Sequence, residues 1–472
     1  METYPIYCAG KFIETTGEWN VTDPFLNEVF AKTWLAGMEE LEIAIQSGLN
    51  LRGQLKAMPA YQRYQILSEI SNGLRLQRQE FAELLSRESG KPVRYALAEV
   101  DRSVQTFTVA AEESRRLPKE YISIDWTTAG KGKEGLVKYF PVGLVAGISP
   151  FNFPLNLAVH KIAPAIAAGC PIILKPSSST PLSTLKLCKL IDETALPKGA
   201  VSVLPMNRTV GNLLVTDDRI SLLSFTGSPE VGWEMKRESG KKKVVLELGG
   251  NAGVIISKGT NLEEAITKCV TGGFSYSGQV CIHTQRIYVI RGLFDEFLAC
   301  FKEKTSGLIK GNPLDKDTEI ATMIDMSNAV RVEAWVNQAL LEGAKLVYGG
   351  RREGNFFEPT ILTDTKPLMQ VCREEIFGPV VLVEAVNDLE EAVTRINEGR
   401  FGLQAGLFTD SLEEMNYAFG NLEVGGVIIN DVPTFRVDHM PYGGVKDSGQ
   451  GREGVRYAIL DMMEPRLLVK NC

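Results

Sequence analysis

No stretch of this sequence approaches the ~20 consecutive apolar residues that a membrane-spanning helix needs. Its first residues lack a basic run followed by an apolar one, so no secretory leader is read there and a cytoplasmic location is expected. Histidine is scarce, with only His160, His283 and His439, and the eight cysteines are scattered without a Cys-x-x-Cys pair. That excludes a disulfide scaffold and offers no grouping with metal-ligand spacing, so no metal is expected. Positive charge is not in excess either: 51 Lys and Arg face 58 Asp and Glu, and the one basic run, Lys241–Lys243, is isolated. A nucleic-acid footprint is therefore unlooked-for. Internal repeats, low-complexity tracts and heptads are also missing, which removes solenoids and coiled coils.

What is present is ordinary globular composition, 44% hydrophobic and 23% charged over 472 residues, a length that predicts more than one core. From about 38 to 116 apolar residues recur at helical spacing, which predicts three long helices. Residues 121–139 place β-branched and aromatic residues on either side of a Gly/Lys turn, which predicts a projecting hairpin. Beyond it, short apolar runs at 143–148, 171–175, 201–205, 220–225 and 243–248 alternate with amphipathic segments. Further runs follow at 285–290, 345–350, 379–385, 404–409 and 426–430. This alternation predicts two α/β halves built on parallel sheets. A last strand at 464–470 has no local partner and is expected to join the hairpin or another subunit.

Gly449 to Gly454 spells a Gly-x-Gly-x-x-Gly motif, yet no strand precedes it and too little chain follows to complete a βαβ unit, so it is not read as a phosphate loop. Phe225-Thr226-Gly227-Ser228-Pro229 is better placed. It follows a predicted strand and opens a helix with Ser228 at the N-cap and Pro229 at the first helical position, where free amides and the dipole favour a pyrophosphate. Lys175, ending another predicted strand, offers a cation at the edge where open parallel sheets bind ligands.

Three segments stand out by residue type: Ser149-Pro150-Phe151-Asn152-Phe153-Pro154, Leu246-Glu247-Leu248-Gly249-Gly250 and Gly278-Gln279-Val280-Cys281. With the Gly227 segment, Glu374-Glu375-Ile376-Phe377-Gly378-Pro379 and Gly443-Gly444-Val445-Lys446, they resemble the ordered motif set of the aldehyde dehydrogenase superfamily along nearly the whole chain. The 34 positions between Glu247 and Cys281 also match that pattern.

The resemblance implies a Rossmann-like parallel-sheet domain for NAD or NADP (residues 1–120 and 140–248), an α/β catalytic domain (249–445) and a small oligomerisation β-element (121–139 and 456–472). It implies Cys281 as the nucleophile that adds to an aldehyde, since a thiolate is the strong nucleophile this step needs. Asn152 becomes the amide donor to the resulting oxyanion, and Glu247 the base that activates the water releasing the acyl group. Lys175 and Glu375 correspond to ribose contacts, Phe377 to nicotinamide-side packing, and Gly227, Ser228 and Gly232 to the pyrophosphate turn. A homodimer or homotetramer is expected.

Two departures matter. Ser178 stands where relatives often carry an acid that favours the 2′-hydroxyl of NAD, so use of both nucleotides is expected. Phe151 replaces a frequent Trp. The stretch Phe435 to Tyr442 and the stretch Glu99 to Arg102 resemble the branch that includes lactaldehyde and semialdehyde dehydrogenases, with Arg102 a candidate for an anionic substrate group. Rival readings are a CoA-acylating relative, which generally lacks the acid at Glu247, and a hydrolase pairing Cys281 with His283.

Overall fold

The computed structural model describes residues 1–471; Cys472, the end of the expected 456–472 segment, lies outside the described residues. The short apolar runs become strands of two largely parallel sheets, as the alternation requires. In the first, Lys243–Glu247, Leu222–Thr226, Val145–Ile148, Ile172–Lys175 and Val201–Val203 lie side by side in parallel. Strands of four residues suffice because both faces are covered, and Val145–Ile148 is buried at every position. Antiparallel strands close the edges, Gly449–Gln450 on Leu246 and Glu247 at one end and Ile6–Cys8 with Lys11–Ile13 at the other. Gly449 to Gly454 thus forms a sheet edge and a turn, not a phosphate loop.

The second sheet runs Lys345–Tyr348, Thr360–Thr363, Val380–Val386, Arg286–Ile290, Gly253–Ile256, Gln404–Phe408 and Gly426–Ile429. All its pairings are parallel except the first, where Lys345–Tyr348 runs antiparallel to its neighbour with a register shift. The strands Thr360–Thr363 and Gly253–Ile256, and every strand before residue 36, were not anticipated from apolar patterning.

Four helices, not three, fill residues 38 to 114: α1 (Met38–Ala57), α2 (Ala60–Leu76), α3 (Arg78–Ser89) and α4 (Val93–Ser114). Pro59 and Pro92 mark two of the breaks. The third, at Gln77, has neither Pro nor Gly; a single residue at φ −101° and ψ 21° redirects the chain so that both helices bury their own apolar faces. Helix α5 (Pro154–Ala168) is buried at all of its 15 residues and packs between α2, α4, α6 (Leu182–Asp192) and the helix Val455–Asp461. A helix buried on every side belongs to an interior, and its polar residues Asn156, His160 and Lys161 find buried partners there. Its N-terminus carries the asparagine segment.

The hairpin is present as Lys119–Ser123 paired with Lys133–Pro141, and Met463–Asn471 pairs with the latter along its whole length. Every residue of Lys119–Ser123, and all but the first of Met463–Asn471, is exposed. No helix among the described residues is long and apolar enough to cross a membrane.

Candidate active site

The carboxyl ends of the first sheet's strands open into a cavity of about 930 Å³ whose lining includes Asn152, Gly227, Ser228, Glu247, Cys281, Glu375 and Phe377. Seven of the residues marked out by motif thus meet in one place.

Cys281 is half-buried just beyond a tight turn, Ser275–Gly278. Tyr276, Ser277 and Gly278 are consecutively left-handed, with φ of 50°, 52° and 67°. Only glycine serves at 278, because a Cβ there would lie 2.1 Å from the Gly378 carbonyl oxygen. The two non-glycine residues are held by side-chain bonds: Tyr276 Oη donates to Ser89 O at 3.1 Å and Ser277 Oγ to Ala321 O at 2.7 Å. Burial pushes the Cys281 thiol up to about 11, and a hydrogen bond with Tyr442 Oη, 3.1 Å from the sulfur, pulls against that rise. Tyr442 is buried; it closes the stretch Phe435 to Tyr442 marked out by resemblance, without a role assigned to it there, and immediately precedes Gly443-Gly444-Val445-Lys446.

Asn152 precedes the first turn of α5 and donates one amide N–H to Gln279 O at 3.0 Å, which ties it to the cysteine turn. Glu247 ends its strand fully buried, and neither carboxylate oxygen has a protein hydrogen-bond partner. Burial, and then the Glu453 carboxylate nearby, drive Glu247 well above the usual carboxylate range. Behind it lies a buried set of charges. Lys161 Nζ donates to Thr226 Oγ1 at 2.8 Å and pairs with Glu453 at 3.4 Å, while Arg436 reaches Glu453 at 2.9 Å. Burial opposes ionisation of Glu453, yet Lys161, His160 and Arg436 hold it down to about 2.

Residues around the cavity fit a dinucleotide. Gly227 and Ser228 line it at the N-terminus of the helix Pro229–Glu238; Ser228 is the N-cap as expected, but its side chain makes no capping bond. Gly232 allows that helix to approach Leu248, since a Cβ would lie 2.4 Å from Leu248 Cδ2. Glu375 accepts from Gly250 N at 3.0 Å and burial pushes its carboxyl up to about 8, so an incoming hydroxyl donor would favour its charged form. Phe377, left-handed at φ 49°, meets Phe151 edge-on with ring centroids 5.8 Å apart. Lys175, Ser178 and Gly232 are not among the residues that line the cavity; Lys175 ends its strand in register with Ile148, and Ser178 O accepts from Trp19 Nε1 at 2.9 Å.

Arg102 is not in this cavity. It pairs with buried Asp438 at 2.8 Å, its guanidinium 5.9 Å from the Phe153 ring centroid, so a carboxylate partner is already in place. Asp438 also meets His160 Nε2 at 2.7 Å. His283 does not pair with Cys281; its Nε2 lies 2.8 Å from Gly273 O, deep in the interior.

The profile of the aldehyde dehydrogenase family matches residues 12–468. A 3-sulfolactaldehyde dehydrogenase of Priestia aryabhattai is 40% identical over 473 residues, covering 100% of this chain and 98% of the relative. The crystal structure of aldehyde dehydrogenase 21 from Physcomitrella patens in complex with the product succinate superposes with a TM-score of 0.98 at 45% identity, covering 100% of this chain and 98% of that one. The structure of glyceraldehyde-3-phosphate dehydrogenase from Methanocaldococcus jannaschii complexed with NADP gives a TM-score of 0.93 at 37% identity, covering 96% and 99%.

Proposed function

Because the chain belongs to the aldehyde dehydrogenase family and is an NAD(P)-dependent enzyme of that class, we propose that it oxidises a small hydroxylated or anionic aldehyde to the acid through a thioester on Cys281. One observation carries this reading: Asn152, Glu247 and Cys281, distant in sequence, line a single cavity.

The thiol must first lose its proton to solvent, which leaves Glu247, with an elevated affinity for protons and unpartnered oxygens, free to act as base in the later water step. The sulfur then forms a bond to the aldehyde carbon while the carbonyl π pair moves onto oxygen. Asn152 and the Cys281 amide donate to that oxyanion. Bound NAD(P)+ supplies the hydride acceptor. The thioester left on Cys281 is opened by a water whose proton passes to Glu247, and the acid departs as the sulfur regains its lone pair. Glu247 supports water over CoA as the acyl acceptor. The His283 ring nitrogen is engaged by Gly273 O and makes no bond to the cysteine, which weighs against a Cys/His hydrolase.

Lys175, Gly227, Ser228, Gly232, Glu375 and Phe377 hold the nucleotide, and Ser178, which adds no negative charge near Lys175, admits the 2′-phosphate of NADP as well as NAD. A relative named for 3-sulfolactaldehyde and a neighbour holding succinate support an anionic or hydroxylated substrate, while Arg102, already paired with Asp438 outside the cavity, is not assigned to its far anion. We assign residues 1–120 and 140–248 to the nucleotide, 249–445 to catalysis, and 121–139 with 456–472 to a homodimer or homotetramer contact through the exposed strand Met463–Asn471, in the cytoplasm. Light scattering of the purified protein reads the assembly. The central test is Cys281→Ser: aldehyde-dependent NAD(P)H formation should vanish with nucleotide binding retained. Persisting turnover overturns the reading.

A further inference from the structure

Among the described residues the Cys281 sulfur has a single hydrogen-bond partner, the Tyr442 hydroxyl at 3.1 Å. That phenol is fixed from several sides. The Arg436 guanidinium lies 3.7 Å from its ring centroid. Its backbone amide and carbonyl both bond to Glu453, at 3.0 and 2.6 Å, and the Glu453 carboxylate in turn accepts from Arg436 at 2.9 Å. The next residue, Gly443, presses on the base: a Cβ there would lie 2.8 Å from Glu247 Oε1. Consecutive residues therefore touch the sulfur and the carboxylate.

We propose that the Tyr442 hydroxyl is a catalytic residue, donating a hydrogen bond to the Cys281 thiolate and so enlarging the fraction of nucleophile at neutral pH. This rests on the reading of Cys281 as the nucleophile. The direction of the bond follows from chemistry. A thiolate carries no proton and can only accept, whereas a phenol donates unless it ionises. Burial keeps the Tyr442 phenol well above its ordinary range, so it stays protonated. Burial also pushes the thiol upward, to about 11, and the tyrosine bond is the leading influence in the opposite direction. The cation over the ring face draws charge toward itself, which makes the O–H a stronger donor. A phenylalanine at 442 would preserve the ring, the Arg436 stack and both backbone bonds, and would delete only the donor.

Tyr442→Phe is the test. Iodoacetamide alkylation, traced to Cys281 by peptide mass, is followed against pH in wild type and variant, with NADP affinity measured alongside. A hydrogen bond to a charged group predicts an inflection raised by roughly one to two pH units, since such bonds amount to about a ten- to hundredfold change in the ionisation equilibrium. The rapid first turnover of NAD(P)H formation should slow at neutral pH and recover as pH passes the new inflection. A packing role predicts neither the shift nor the recovery. An unmoved inflection, a deficit equal at every pH, or a shift seen only with lost NADP affinity overturns the proposal. Cys281→Ser separates the two readings: if that variant still turns over, the nucleophile assignment fails. If it is dead while Tyr442→Phe shows no shift, only the tyrosine inference fails.

Discussion

Lys91 and Glu99 form an ion pair sealed from solvent, both side chains 0% exposed, beneath the ring of Phe153. The remaining Glu99 oxygen accepts from Leu155 N at 3.0 Å and Asn156 N at 3.1 Å, the donors that the first turn of α5 leaves unpaired. The pair therefore fastens the turn that follows Asn152. Glu99→Gln leaves the Lys91 ammonium buried without a counter-charge, and breaking such a pair typically costs about 3–5 kcal/mol. Urea unfolding should register that loss, and kcat should fall as Asn152 loosens. The double replacement Lys91→Met with Glu99→Gln should recover most of the stability, because no charge is then stranded and the amide oxygen still accepts from Leu155 N and Asn156 N.

Asn152→Ala removes the side-chain donor to the oxyanion and leaves the cavity walls standing. Steady-state kinetics should show kcat lower by on the order of 10²-fold or more, with a smaller change in KM. Equal losses in kcat and in nucleotide affinity would place the asparagine in binding instead.

Burial pushes Glu375 up to about 8, whereas an unfolded glutamate titrates near ~4.3. Between those pH values the folded chain holds a proton that the unfolded chain has released, so this residue's contribution to stability falls as pH rises through that window. Glu375→Gln keeps an acceptor for Gly250 N and cannot ionise. Its unfolding free energy, read by urea titration, should match wild type near pH ~4.5 and exceed it by a few kcal/mol at about pH 8, since each pH unit crossed in that window is equivalent to roughly 1.4 kcal/mol. A difference that stays constant across the window would remove Glu375 from the pH dependence.

Ser178→Glu restores an acid next to the strand that ends at Lys175. Repulsion of a 2′-phosphate should lower kcat/KM for NADP by about tenfold or more, equivalent to roughly 1.4 kcal/mol, and leave NAD turnover intact. Measuring both nucleotides with one aldehyde decides it.

The motifs Asn152, Glu247, Cys281 and Glu375 were legible because glycines and prolines with their own backbone demands surround them, as Gly278 illustrates. The central strands were legible as apolar runs between amphipathic segments. The strand Gly253–Ile256 was not, being four residues long and starting on a glycine, nor was the break at Gln77, where no residue type announces a turn. For Tyr442, Arg436 and Glu453 the segments were legible but the roles were not: each role lies in a buried contact between segments distant in sequence or with a neighbour that no local pattern names. Arg102 was legible as a cation, but its engagement with Asp438, 336 positions away, was not.

Glu247 offers the sharpest separation of chemical steps. Burial and the neighbouring Glu453 raise its carboxyl well above the ordinary range, so at low pH it is protonated and cannot take a proton from water. As pH rises through the shifted value the ionised fraction grows, and kcat should climb with it to a plateau. Glu247→Gln preserves size and polarity but removes the base. Rapid mixing with aldehyde and nucleotide should then show a first equivalent of NAD(P)H per Cys281 followed by near arrest, with the acyl group recoverable on the Cys281 peptide by mass. Hydroxylamine, which opens a thioester without a base, should restart turnover. A variant that forms no first equivalent would assign Glu247 to thiol activation ahead of hydrolysis, and an unchanged steady rate would remove it from the chemistry.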